Sequence, residues 1–166
     1  MPVRAGDTNP AKYYVGDAIP SAVYCGDLLV WPIYPAVGMN KSGTHTVTTS
    51  FADVAGWVVD PERPGSALSG TTGLVVQQGK SGAKITASLF GTNPGFNAAT
   101  LQLRATVNNA VVGAAGTAVS LPGFNGTGTA ELTVTGVNVA VGDVVRLQAV
   151  ASAGLDATAP GWVRVS

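Results

Sequence analysis

Charge is scarce in this chain. Only 11% of its 166 residues are Asp, Glu, Lys or Arg, less than half of the ~25% usual in a soluble domain. Nine basic and nine acidic residues cancel, and they do not cluster by sign. A nucleic-acid binder needs a basic stripe that replaces counterions on phosphates, so no nucleic-acid partner is expected. Cysteine is limited to Cys25, which excludes an intrachain disulfide and a multi-cysteine metal cage and points to synthesis in a reducing cytosol. Long apolar runs are missing as well. Ala110–Ala115 is far shorter than the ~20 residues with which a helix crosses a bilayer, and no membrane association is expected. The opening Met-Pro-Val-Arg-Ala-Gly-Asp lacks a basic stretch followed by an apolar one, so no secretion signal is expected either.

Thr, Ser, Asn, Gln and 22 glycines take the place of the missing charge. Their distribution divides the chain. Residues 1–40 are rich in Pro, Gly, Tyr and Trp, and are expected to form an arm. Residues 41–166 are expected to form one domain, beginning with a β-like run and a Pro/Gly/Ser loop and continuing as a series of short strands. In Ala83–Leu89, Leu101–Val107, Leu132–Thr135 and Val145–Ala151 apolar and polar residues alternate, with only Val150 out of step. Period two turns one face of a strand to a core and the other to solvent. Gly91–Gly95, Asn108-Asn109, Pro122–Gly126, Gly142-Asp143 and Ala159–Gly161 supply the turn signals between the runs. No segment carries a 3.6-residue apolar period. The expected fold class is all-β: a short β-hairpin arm followed by a jelly-roll-like β-sandwich. Alternation continues through Val163 and Val165 to Ser166, which predicts that the last strand is paired inside a sheet.

The arm contains a duplicated unit. Tyr14-Val15-Gly16-Asp17-Ala18-Ile19 is followed ten residues on by Tyr24-Cys25-Gly26-Asp27-Leu28-Leu29, then Val30-Trp31-Pro32. Gly-Asp suits a tight hairpin turn, since Gly takes positive φ cheaply and Asp bonds nearby amides. Two-stranded hairpins are marginal in water, so Tyr14, Tyr24, Leu29 and Trp31 are candidate docking residues that need a partner surface.

The segment Val23–Pro32 resembles a Val-Tyr-x-Gly-(Asp/Thr)-x-x-Val-Trp-Pro element of virion proteins in tailed bacteriophages, particularly those of actinobacterial hosts. That resemblance implies a structural protein of the virion, made in the host cytoplasm, whose partners are capsid or tail proteins. Capsid decoration and a minor tail role both fit. The later strands, with Val141-Gly142-Asp143-Val144-Val145-Arg146-Leu147, resemble the jelly rolls of complement globular heads and tumour-necrosis-factor-like domains. That second resemblance implies a homotrimer.

Chemistry-bearing residues are sparse. His45 starts a probable strand with no Gly-x-Ser-x-Gly elbow anywhere in the chain, and Cys25 reads as a small buried hydrophobe. Asp17, Asp27 and Asp143 each follow a glycine and are explained by turns; the remaining carboxylates are scattered. The expectation is therefore a non-enzymatic protein with no catalytic residues, no cofactor and no resident metal, although calcium at a loop such as Asp60-Pro61-Glu62 stays open. Trp57 and Trp162 have two readings: core packing, or a platform that stacks host surface glycans. The second would make the domain a carbohydrate-binding module.

Overall fold

The computed structural model describes residues 36–63 and 65–166, together with the backbone of two short strands in the arm. The chain divides into two units, Met1–Tyr34 and Pro35–Ser166. In the first, β1 (Val23–Cys25) pairs antiparallel with β2 (Leu28–Trp31), Tyr24 opposite Leu29 and Cys25 opposite Leu28. The pairing brackets Gly26-Asp27, as the turn chemistry predicts. The earlier copy of the unit, with Tyr14, lies outside the described residues.

The second unit contains strands and no helix among its described residues. These are β3 (Val37–Lys41), β4 (His45–Val47), β5 (Ala52–Asp53), β6 (Trp57–Val59), β7 (Ala67–Ser69), β8 (Gly73–Val75), β9 (Lys80–Asn93), β10 (Ala99–Val107), β11 (Ala110–Val112), β12 (Val119–Leu121), β13 (Gly126–Val139), β14 (Val144–Ala151) and β15 (Leu155–Val165). They form two antiparallel sheets. One runs β13-β9-β15-β3-β6, with β4 on β15; the other runs β11-β10-β14-β8-β7, with β12 on β10 and β5 on β14.

Alternation accounts for the sandwich. Ile85, Ala87 and Leu89 of β9, Leu132 and Val134 of β13, and Val163 and Val165 of β15 are buried from one sheet; Leu101, Leu103, Val145 and Leu147 are buried from the other. Thr, Gln and Arg occupy the intervening outward positions. The two sheets also meet at their edges. Trp57 N–H, on β6 of the first sheet, donates to the Thr71 carbonyl, in the turn between β7 and β8 of the second, at 3.2 Å.

Three boundaries differ from the sequence reading. Residues 37–40 were expected in the arm, yet β3 pairs with Trp162–Val165 of β15 inside the sandwich. Val37 and Met39 are buried there, but Gly38 and the surrounding Pro/Gly residues blur their alternation. Ala159–Gly161, read as a turn, lies within β15, where the register to β9 shifts between Thr158 and Gly161. In β13 the register to β9 shifts between Val134 and Val137. Gly136 sits there at φ +75°, and this bulge lets Val134 and Val137 both face inward although three residues apart.

Candidate functional site

Of the docking candidates, Tyr24, Leu29 and Trp31 fall on the β1–β2 hairpin, with Trp31 opposite Val23. Their side chains lie outside the described residues.

Trp57 and Trp162 take opposite faces of one sheet. Trp57 is only 3% exposed, and its indole N–H donates to the Val54 carbonyl at 2.6 Å. It is a core residue and offers no ring face to a sugar, which corrects that half of the stacking platform. The reason is register: Trp57 pairs with Lys41, itself turned inward and buried. Trp162 stands on the outer face, half-buried, with the Arg164 guanidinium 4.5 Å from its ring centroid. The face that a sugar would need is partly covered by that cation. The two indoles do not form one surface.

Arg164 also joins an ionic cluster under the loop after β6. Asp60, 1% exposed, accepts from Arg63 Nη1 at 2.6 Å and lies 3.6 Å from Arg164 Nε. Its other oxygen accepts from the Glu62 N–H at 3.1 Å and Asn40 Nδ2 at 3.3 Å. Burial pushes the Asp60 carboxyl up, but the Glu62 amide and the Arg63 and Arg164 guanidinium groups outweigh it and hold the acid below its usual range. The Asp60-Pro61-Glu62 segment thus presents its aspartate to two arginines, and that charge is already compensated.

His45 and Lys41 form a second polar pair. Lys41 Nζ donates to the Ser42 and Gly43 carbonyls at 3.0 and 2.8 Å, and burial lowers its pKa. Burial first, then the Lys41 charge, lowers His45, whose Nδ1 accepts from the Ala55 N–H at 3.5 Å. The folded state therefore disfavours the imidazolium, and stability declines as pH falls below the ordinary imidazole value of about 6.5. Ring-proton shifts of His45 followed by NMR should titrate below that value; a midpoint at or above it would contradict the arrangement.

The other described aspartates are likewise occupied. Asp53 accepts from Gln148 Nε2 at 2.8 Å and pairs with Arg146 at 3.5 Å. Asp143 is lowered by bonds from the Ala140 N–H and the Asn108 amide, and Asp156 accepts from Thr46. No cluster of three or more His, Cys, Asp or Glu side chains suited to a metal ion occurs among the described residues.

Comparison with known proteins is informative at the level of fold. No family model matches this chain, and no curated protein does. Among solved structures, a tumour necrosis factor, Eiger of S. frugiperda, superimposes over 79% of this chain and 91% of its own, with a TM-score of 0.55 at 10% identity. The sandwich is a jelly roll of the tumour-necrosis-factor type.

Within this jelly roll, the sequence reading passed over the most exposed apolar side chains. Phe96 is 79% and Phe124 74% exposed; Phe124 falls within the Pro122–Gly126 turn signal, and Phe96 lies just after that of Gly91–Gly95. Their ring centroids lie 5.4 Å apart with planes at 73°. A signal was present: Pro-Gly-Phe-Asn occurs at 94–97 and again at 122–125.

Proposed function

We propose that this chain is a non-enzymatic structural protein of a phage virion, docking through its N-terminal arm and displaying the jelly roll as a trimer. The observation that carries the reading is the hairpin. Val23–Cys25 and Leu28–Trp31 carry the Val-Tyr and Val-Trp residues of the virion element, they pair on either side of its Gly-Asp, and they belong to a unit separate from the sandwich. Strand addition through such a segment supplies backbone hydrogen bonds, while alternate side chains fill pockets on the receiving protein. Tyr24, Leu29 and Trp31 are the side chains assigned to that task, with Tyr14 from the first copy.

The trimer is supported by the likeness to the tumour-necrosis-factor fold, whose members are commonly homotrimeric, and closed symmetry suits a repeating lattice. Capsid decoration fits a small chain with one compact head; a minor tail position fits the same arm. Removing residues 1–34 should abolish incorporation into particles while the jelly roll still unfolds cooperatively. Native mass measurement of the full chain should give three copies. Normal incorporation of the truncated chain would defeat the docking role, and a monomer at micromolar concentration would defeat the trimer.

A further inference from the structure

The twin Pro-Gly-Phe-Asn segments are connections between the sheets, and they run in opposite directions. Residues 94–98 lead from β9 in one sheet to β10 in the other, whereas residues 122–125 lead back from β12 to β13. Strand pairing sets them side by side, since Asn93 opposes Gly126 and Ala99 opposes Leu121. The loops are then bonded to each other. Phe124 N–H donates to the Gly95 carbonyl at 2.7 Å, and Asn125 N–H donates to the Asn93 carbonyl at 2.8 Å.

Asn93 fastens both loops from beneath. Its side chain is 1% exposed. Its Nδ2 donates to the Asn97, Leu121 and Pro122 carbonyls at 2.8, 3.3 and 3.1 Å, and its Oδ1 accepts from the Gly95 N–H at 3.0 Å. Gly123 lies so close that a Cβ there would come within 2.1 Å of the Phe96 carbonyl oxygen. Phe124 and Asn125 hold φ of +58° and +62°, a strained region for a bulky side chain. Local strain and a buried amide thus fix the backbone that carries two exposed phenyl rings side by side. Two adjacent aromatic rings held in water run against hydrophobic burial and mark this corner as a contact surface.

We propose that Phe96 and Phe124 form a binding platform for a neutral glycan. Two rings at 73° offer one aromatic face and one edge, the shape of a shallow corner that receives the C–H face of a pyranose ring. The exposed amides of Asn97 and Asn125, each next to its phenylalanine, supply donors and acceptors for hydroxyl groups. Residues 91–103 and 119–130 contain no charged side chain. A stacked nucleic-acid base would bring a phosphate that calls for cations in these loops. A protein partner calls for roughly 800 Å² per side. The platform is two rings bordered by Asn, Thr, Gly and Pro, and the other exposed large apolar side chains among the described residues, Val58, Val59, Val111 and Val141, stand on β6, β11 and the β13–β14 turn.

The platform is independent of the docking arm and goes beyond the virion reading. Its test uses the full chain titrated with neutral oligosaccharides (hexamers of glucose in β1,4 and α1,4 linkage, of N-acetylglucosamine and of mannose) and with purified bacterial cell-wall polysaccharide. At least one should bind, with amide NMR shifts centred on residues 94–98 and 122–126. Phe96→Ala or Phe124→Ala should each weaken binding about tenfold. The double variant should abolish it, Phe124→Trp should restore it, and thermal unfolding midpoints should stay near wild type. Response to the wall polymer alone would assign the extended chain as ligand; response to a hexamer as well would assign the sugar unit. Failure of every glycan to bind, or unaltered binding by the double variant, would overturn the proposal. Concentration-dependent association lost in Phe96→Ala would overturn it in favour of a second copy as occupant. Particle incorporation should be unaffected by either alanine, which separates this outcome from that of the arm deletion.

Discussion

Removal of Trp162–Ser166 is expected to leave the jelly roll unable to fold. β15 is an interior strand, hydrogen-bonded to β9 on one side and to β3 on the other. Its last turn of pairing is reciprocal, with Ser166 N–H donating to the Lys84 carbonyl at 3.0 Å and Lys84 N–H donating back at 2.8 Å. Val163 and Val165 are 1% and 5% exposed, and burying such a side chain contributes about 1.5–3 kcal/mol. Each lost ladder bond removes roughly 1 kcal/mol more, and the abandoned β3 and β9 groups must be rehydrated. These losses together are comparable with the whole ~5–15 kcal/mol that holds a domain folded. Far-UV circular dichroism during heating should show no cooperative transition in the truncated chain. A sharp melt within a few degrees of the full-length protein would mean that β3 and β9 close the gap without β15.

The second large effect belongs to Asp60. Replacing it by Ala leaves Arg63 and Arg164, side chains 23% and 31% exposed, facing one another without their shared anion. Breaking a buried pair in this way costs about 3–5 kcal/mol, and urea unfolding should register it as a lower midpoint at unchanged slope. The pH dependence has a definite sign. Asp60 is lowered in the folded state, so its contribution is complete above the ordinary carboxylate range and is lost as pH falls through the folded value. Asp143 is shifted in the same direction. Stability of the wild type should therefore decline steadily from pH 5 toward about pH 3, and Asp60→Asn should flatten that decline without removing it. A decline of identical steepness in Asp60→Asn would assign the acid sensitivity elsewhere.

Much of the architecture can be read directly from particular residues. The strict alternation of Ala83–Leu89 and Leu101–Val107 reappears in the burial of β9 and β10 except at Ser88 and Thr106, which are buried as well, because a half-buried strand imposes period two on its own sequence. Other strands leave weaker traces. β5, β7 and β8 are two or three residues long, too short for a period to register, and β3 is interrupted by Gly38. Bulges at Gly136 and around Ala159–Gly161 break alternation within single strands, so one long strand reads as two.

The candidate sites divide along the same line. Trp57 and Trp162 were indistinguishable in sequence, since both follow glycine and precede valine; register alone sends one inward and the other outward. Phe96 and Phe124 lie 28 positions apart, and nothing local shows that two loops running between the sheets will meet. Composition and periodicity by themselves determined an all-β chain of low charge, with a hairpin at Gly26-Asp27 and an interior last strand, because those features depend on neighbours in the chain. Which aromatic rings are buried, which carboxylate meets two arginines and which loops share an amide anchor were decided only by tertiary structure. Those outcomes depend on strand order, and strand order is set by the burial of all faces at once.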